Sequence, residues 1–482
     1  MMKRLLVLAA VSSLVAWGAP LAAELTPTSP DAPFPRASTD IAQVPPTSSS
    51  ERDSLFGLET AADPKRPDAP EQGAARVRFS GFYNFELAYT YSDPGHWSRA
   101  VNRLQLLADG DLGQGVKWKL GFRADIDPVH YGSDFYVDAV NRDQRADLFW
   151  RENYLDFNAG GWDFRLGAQQ IVWGEVVGLF FADVVSARDM REFLLPSFDI
   201  IRIPQWAARA EYFFQGGTHL ELAWIPVPTF DLIGKPGAEF YPVPLPVPVS
   251  ESAAAMFYDP EKPSRKLSNS NYGVRVNTLA QGWDLSAFYY RSFNTHPTFY
   301  FLTDQSTETG FAYRPRYERI WQAGGTFSKD FGSFVLRGEA VYSSSQDYAL
   351  ENPLAMPGGV ASRAAVDAIV GLDLSPSTDT RVNVQLFNRS ILDGGEGDLM
   401  VKTAGLGASI LASIKVGEFE PQILWIHNFK DAGGLVRPRI AWTAAKNVTI
   451  IGGVDIFTGP SNGYFGRYDD RDRVYTEVRY DF

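Results

Sequence analysis

The chain has 482 residues, a formal net charge of −12 and no cysteine. Without cysteine there is no disulfide framework, thiolate nucleophile or thiolate metal site, and the negative balance argues against nucleic acid as a partner. Aromatic residues make up 14%, above the usual share, as in barrels that concentrate Trp, Tyr and Phe at both membrane interfaces.

Met1 to Ala23 opens with Lys3 and Arg4, continues in an apolar run from Leu5 to Trp17 and exits through small residues at Leu21-Ala22-Ala23. That order describes a secretory signal cleaved near Ala23. Residues 24–75 are rich in Pro, Ser, Thr, Asp and Ala with no sustained apolar period, and are expected to be a disordered periplasmic lead. Leu55-Phe56-Gly57-Leu58 is a small apolar patch within it, read as a chance cluster in preference to a docking motif. Elsewhere no stretch supplies the roughly 20 apolar residues a membrane helix needs, and the mean hydropathy is slightly negative.

From Arg76 to Phe482 the pattern changes to alternation of apolar and polar residues in eighteen segments. They run 76–91, 99–112, 115–127, 146–158, 162–174, 205–214, 218–229, 269–280, 283–294, 314–328, 332–344, 363–375, 379–391, 401–414, 417–428, 435–444, 447–458 and 468–482. The connections are short and long in turn. The fold class expected is all-β: a transmembrane antiparallel β-barrel of about eighteen strands with short periplasmic turns and long extracellular loops. In 116–127, Val116, Trp118, Leu120, Phe122 and Ile126 would meet lipid, with Lys117, Lys119, Arg123 and Asp125 inside. Extending this register gives a lumen lined by Arg78, Glu86, Lys117, Lys119, Arg123, Asp125, Arg165, Arg209, Glu211, Arg337, Glu339 and Arg479. Most of these charges are expected to pair with one another across the wall. The last strand ends on an outward row of Val474, Thr476, Val478, Tyr480 and Phe482. The alternative for that strand is an edge in a soluble sheet, which rarely ends on an exposed Phe.

Two connections are not loop-like. The one from Glu175 to Pro204, about thirty residues long, is too apolar to stand in water and is expected to fold into the barrel mouth. It would bury Leu179, Phe180, Phe181, Phe193 and Leu194, and constrict the pore with Glu175, Asp183, Arg188, Asp189, Arg191, Glu192 and Arg202. Ser186 and Asp189 would cap a short helix ending before Pro196. The other reading is a lid with no role in transport. From Ile225 to Val249 proline alternates with aliphatic residues, which predicts a stiff, extended apolar surface outside the cell, open to a partner or an apolar solute.

Catalytic signals are weak. His96, His130, His219, His296 and His427 are scattered, with none at metal-ligand spacing, and no serine sits in a nucleophile turn. Asp393 to Asp398 fits no standard calcium loop. The expectation is therefore a non-enzymatic channel without cofactor, for a hydrophobic or amphipathic solute, in the outer membrane of a Gram-negative cell. Its expected partners are the lipid bilayer, lipopolysaccharide and the outer-membrane assembly machinery, which would engage the strand ending at Phe482. A plugged barrel docking an export assembly is the alternative, and an outer-membrane hydrolase a more distant one.

Arg165-Leu-Gly-Ala-Gln-Gln-Ile-Val-Trp-Gly-Glu175, then Ile203-Pro-Gln-Trp206, and the closing Gly466 to Phe482 together resemble a Proteobacterial outer-membrane barrel family, domain of unknown function thirteen-oh-two. That family is similar in plan to the eighteen-stranded alginate-export porin. The resemblance implies transport of a hydrophobic compound, beside a periplasmic or outer-membrane lipoprotein and a resistance-nodulation-division exporter. It supplies no binding residues, and the Pro-rich 226–248 stretch has no counterpart in it.

Overall fold

A strand that crosses hydrocarbon can leave no backbone N–H or C=O unpaired, so a membrane sheet has to close on itself. The computed structural model of the chain describes residues 77–176, 182–243, 245 and 248–482; the signal, the 24–75 lead, Arg76, Leu179, Phe180 and Phe181 lie outside them. Eighteen strands form one antiparallel barrel. In chain order they are β1 Arg78–Thr90, β2 His96–Asp111, β3 Lys117–Ile126, β4 in two pieces Ala146–Trp150 and Asn153–Ala159, β5 Trp162–Gln169, β6 Gln205–Phe213, β7 Thr218–Ile225, β8 Asn271–Ala280 and β9 Trp283–Phe293. The second half comprises β10 Arg319–Asp330, β11 Phe334–Ala349, β12 Val360–Ser377, β13 Thr380–Ile391, β14 Gly405–Ile414, β15 Phe419–Asn428, β16 Gly434–Ala445, β17 Val448–Thr458 and β18 Arg473–Asp481. Each pairs with its sequence neighbours, and β18 returns to β1, from Phe82 opposite Asp481 to Thr90 opposite Arg473.

Every expected segment corresponds to one barrel strand, with shifted ends. The fifth stops at Gln169 instead of 174 because the chain there turns into the lumen. The tenth starts at Arg319, because Thr298–Thr303 and Phe311–Arg316 pair as a separate hairpin outside the barrel sheet. β4 is broken at Arg151 and Glu152, where Arg151 sends its guanidinium inward to the carbonyl of Arg202 at 2.9 Å.

Tight turns gather at the end carrying both barrel termini, and the long connections gather at the other. The faces follow the period of two. On β3, Leu120, Phe122 and Ile126 are exposed while Arg123 and Asp125 are buried; on β18 the exposed set is Val474, Val478, Tyr480 and, just beyond it, Phe482. Exposed aromatics form two girdles, with Trp97, Trp206, Trp224 and Tyr272 near the loop ends and Phe213, Phe331, Phe419, Trp442 and Phe482 near the turn ends. No helix among the described residues is long and apolar enough to cross a membrane.

Closure depends on a close approach at Gly81. Its N–H donates to the Phe482 carbonyl at 2.9 Å and its carbonyl accepts from Phe482 N–H at 3.0 Å. A Cβ there would lie 2.2 Å from the Gln105 carbonyl oxygen and 3.1 Å from the Phe482 ring. Gly81→Val is expected to strain the β1–β18 seam by about 1–3 kcal/mol, the usual cost of overpacking, and to lower the urea midpoint of refolded barrel followed by heat-modifiable gel mobility.

Candidate functional site

Beyond Gln169 the chain leaves the wall and crosses the lumen. Its first arm is pinned by the Trp173-Gly174-Glu175 stretch. Trp173 is wholly buried among Phe288, Tyr290, Ala223 and Val341, and its indole N–H donates to Glu221 at 3.1 Å. A Cβ on Gly273 of β8 would fall 2.6 Å from the Trp173 ring, so the wall makes room for it with a glycine. Glu339, projecting from β11, accepts three backbone N–H groups of the loop: Glu175, Val176 at 2.6 Å and Ala182 at 2.9 Å. Gly174 leaves space for that carboxylate, since a Cβ would stand 3.1 Å from it. Glu175 itself reaches Arg275 and Arg337, both at 3.5 Å. A buried carboxylate with three amide donors is a strong anchor, because loop and wall each satisfy what the other would leave unpaired.

The second arm folds differently from the expected capped helix. Ala187–Arg188 pairs with Arg202–Ile203 as a two-residue ladder, and the helix, α1, is Phe198–Ile201, after Pro196. Neither expected cap is free to act. Ser186 Oγ donates to the Ile171 carbonyl at 3.1 Å, and Asp189 takes the fork of Arg191, with both bonds at 2.8 Å. Burial pushes the Asp189 carboxyl up, but Arg191, followed by Arg123, outweighs it and holds it well below the usual range. Arg191 continues to Asp147 at 2.5 Å. Glu192 bridges Arg99 at 2.9 Å and Arg473 at 2.8 Å. Asp455 ties Arg473 at 2.9 Å to Arg437 at 2.6 Å, and Arg437 donates to the Leu195 carbonyl at 2.7 Å. Phe193 and Leu195 pack with Ile426, Leu435 and Phe457 of β15–β17. The loop is thus a crossbar fixed at β7–β11 and at β15–β18.

Over residues 229–243 the Pro-rich connection is not an exposed surface, and residues 244, 246 and 247 lie outside the described ones. Phe230, Ile233, Phe240 and Tyr241 are buried, and Phe240 meets Phe457 in a tilted and Tyr468 in an edge-to-face arrangement. A proline-rich chain lacks donors but keeps its carbonyls, and the barrel supplies donors for them. Arg471 takes the Glu239 carbonyl at 2.9 Å, Tyr468 that of Phe240 at 3.1 Å and Arg467 that of Pro242 at 2.7 Å. The Glu239 carboxylate accepts from Thr90 at 2.7 Å and from Tyr136 at 3.0 Å, and lies 3.0 Å from His96 Nε2.

The lumen charges expected from the register pair as a rule. Glu86 meets Arg99 at 3.1 Å, Asp125 meets Arg103 at 3.0 Å and Arg123 at 3.3 Å, and Lys119 meets Glu152 at 2.5 Å. Arg165 pairs with Asp156, Arg337 with Asp373 and Arg209 with Glu211, each at 2.7 Å, and Arg479 with Asp481 at 2.9 Å. Arg78 pairs with Asp109 at the exposed turn-end rim, and Lys117 is exposed there. Arg99, Arg103, Arg437, Asp455, Arg473 and Glu239 belong to the site but were not among the expected residues. For Arg99 and Arg103 the readable signal was their place on the inward register of β2. The β6–β7 hairpin also brings His219 beside Glu211 and Glu221, within 4.8 Å, although linear spacing placed no histidine with ligands. Arg209 spans both carboxylates there.

The described residues line several cavities. One of about 410 Å³ lies on the loop side, between Met190, Phe193, Phe240, Phe299, Phe387 and Tyr468. One of about 590 Å³ opens at the turn end, lined by Arg381, Lys415, Arg439, Arg479 and Asp199. A third of about 60 Å³ runs beside Leu194–Ile200. It shares Leu194 with the first, and Arg439, Ile451 and Arg479 with the second.

Closed wall, aromatic girdles and inward-folded loop together define a β-barrel of the outer-membrane type. The family described as "Protein of unknown function (DUF1302)" matches residues 67–482, and the chain belongs to that family. No curated protein is a significant match. Among solved structures, Salmonella typhi OmpF in complex with daunomycin is 9% identical, covering 84% of this chain and 97% of that one at a TM-score of 0.42. A loop-deletion mutant of Vibrio cholerae OmpT is 10% identical, covering 85% and 100% at 0.40. A mutant Rh. blastica porin is 14% identical, covering 84% and 100% at 0.39.

Glu339→Ala strands three loop amides and is expected to weaken crossbar docking by about 3 kcal/mol or more; limited proteolysis should then cut within 186–202 in a barrel that keeps its heat-modifiable mobility. The Glu239 anchor has a defined pH window. Burial raises its pKa, but the His96 hydrogen bond, Arg471 and Thr90 prevail and lower it from 4.5 to about 2. A lowered folded value stabilises docking above the ordinary carboxylate range and is lost as pH falls from 4.5 towards about 2. Protection of the 230–242 amides in hydrogen exchange should hold at pH 6 and decline across that acid window.

Proposed function

We propose that the protein is an outer-membrane channel for a hydrophobic or amphipathic small molecule, constricted by its inward-folded 175–204 loop. The observation that supports this reading is the succession of cavities, two large ones at opposite ends of the lumen linked through shared lining residues by a narrow one at the crossbar. A cavity of about 60 Å³ has room for roughly a few waters, so a larger solute passes when residues 189–201 move aside. Many aromatic and aliphatic side chains interleaved with paired charges offer weak sites that a solute can enter and leave.

Arg188 and Arg202 face each other in the two-residue ladder, so residues 189–201 can be replaced by a short Gly/Ser turn without reshaping the wall. In planar bilayers the intact protein is expected to show small steady conductance and the shortened protein several-fold more. Absence of conductance in both would replace the channel with a plugged barrel that docks an export assembly.

A further inference from the structure

The loop-side cavity carries a cation that the protein does not neutralise. Arg467 lines it on the connection between β17 and β18. Among the described residues, no carboxylate lies within ion-pairing distance of Arg467. Its guanidinium donates to the Pro242 carbonyl at 2.7 Å and also interacts with the Tyr468 hydroxyl, while its Nε, buried, has no acceptor. The rings of Tyr464 and Tyr468 flank it, with centroids 5.2 and 4.9 Å away, which fixes the head without answering its hydrogen-bonding needs. Thr403 lines the same cavity, and its hydroxyl is also buried without a partner. The two belong to one corner of the fold, since Lys402 bridges to Gly463 and the Arg467 N–H donates to the Gly463 carbonyl at 3.3 Å.

Most other charged side chains of the cavity have partners, and the Arg188 guanidinium donates to the Asp183 carbonyl at 2.5 Å. Asp367 pairs with Arg389 at 2.6 Å and Asp183 with Arg202 at 2.8 Å. Asp231 accepts the Arg188 N–H at 2.8 Å and faces His296 at 3.6 Å. Asp347 accepts the Tyr300 hydroxyl, against the hairpin of 298–316. A half-buried cation whose Nε is buried and a buried hydroxyl oxygen, both short of acceptors, in a chamber with aromatic and aliphatic walls between its polar groups are complementary to an oxyanion attached to an apolar body.

We propose that this cavity binds a carboxylate-bearing amphiphile, with its head on Arg467 and Thr403 and its apolar body along Phe193, Leu194, Phe240 and Phe465. The assignment rests on the channel reading for its biological meaning, naming the class of solute, but the binding site itself can be tested apart from conduction.

The probes are octanoate, octanol and octyltrimethylammonium, titrated by calorimetry into full-length mature protein in zwitterionic nanodiscs, with empty nanodiscs as reference. Octanoate is expected to bind about tenfold or more tightly than the other two, as one charge-assisted hydrogen-bonding seat allows. Arg467→Met should bring octanoate down to the level of octanol and leave octanol unchanged, Arg467→Lys should restore part of the preference, and Thr403→Val should reduce it. Octanoate no tighter than octanol, or a preference that survives Arg467→Met, overturns the proposal. Equal loss of octanoate and octanol in Arg467→Met, unrelieved in Arg467→Lys, also overturns it, by reducing Arg467 to a support for Pro242. Conductance with no octanoate preference removes the solute class alone; octanoate preference without conductance in either bilayer variant removes the channel and leaves a binding barrel.

Discussion

The rest of this structure depends on one constraint, that hydrocarbon satisfies no peptide group. Eighteen strands therefore close through the pairing of β1 with β18, and a cylinder of that size encloses more space than its wall side chains fill. Whatever occupies the lumen has to come from the connections. Here two of them do so, one after β5 and one after β7, and both are held by side chains that the wall turns inward.

The holding chemistry is a division of labour between donors and acceptors. Glu339 accepts hydrogen bonds from backbone amides of the crossbar, while Arg123, Arg151, Arg437, Arg467 and Arg471 donate hydrogen bonds to loop carbonyls. Irregular backbone at membrane depth is tolerated only where the protein or water satisfies it, and a lumen dense in arginine does so for a loop that holds only a two-residue ladder and one short helix. Arginine suits this work because its charge persists when buried and its fork serves a carbonyl and a carboxylate at once. Arg437 is an instance, joined to Asp455 and to the Leu195 carbonyl. The same arrangement explains why so much charge lining the wall yields little free charge in the lumen.

The crossbar is fastened unevenly. Its first arm packs indole and aliphatic groups against β7, β9 and β11. The second relies more on ion pairs through Asp189, Arg191 and Glu192, with Phe193 and Leu195 as its apolar footing. Ion pairs can exchange partners with less loss than a packed core can be opened, since charged groups retain alternatives in a polar lumen. On the channel reading we propose, the residues that move aside are 189–201, with the Trp173-Gly174-Glu175 anchor staying in place.

The eighteen strands, the facing of Leu120 against Arg123, and the inward turn of the 175–204 connection were legible in the sequence, because period two and apolar content are local properties of a few consecutive residues. Tertiary structure decided what those residues met. Ser186 and Asp189 had the spacing of a cap, yet Ile171 and Arg191 took them, so the helix formed after Pro196 instead. The Pro-rich run had the composition of an exposed surface, yet Tyr468, Arg467 and Arg471, more than two hundred residues further on, supplied the donors its prolines lack. Which charges pair, and that Arg467 does not, follows from strands and loops brought together by closure, a relation between distant positions that no local pattern carries.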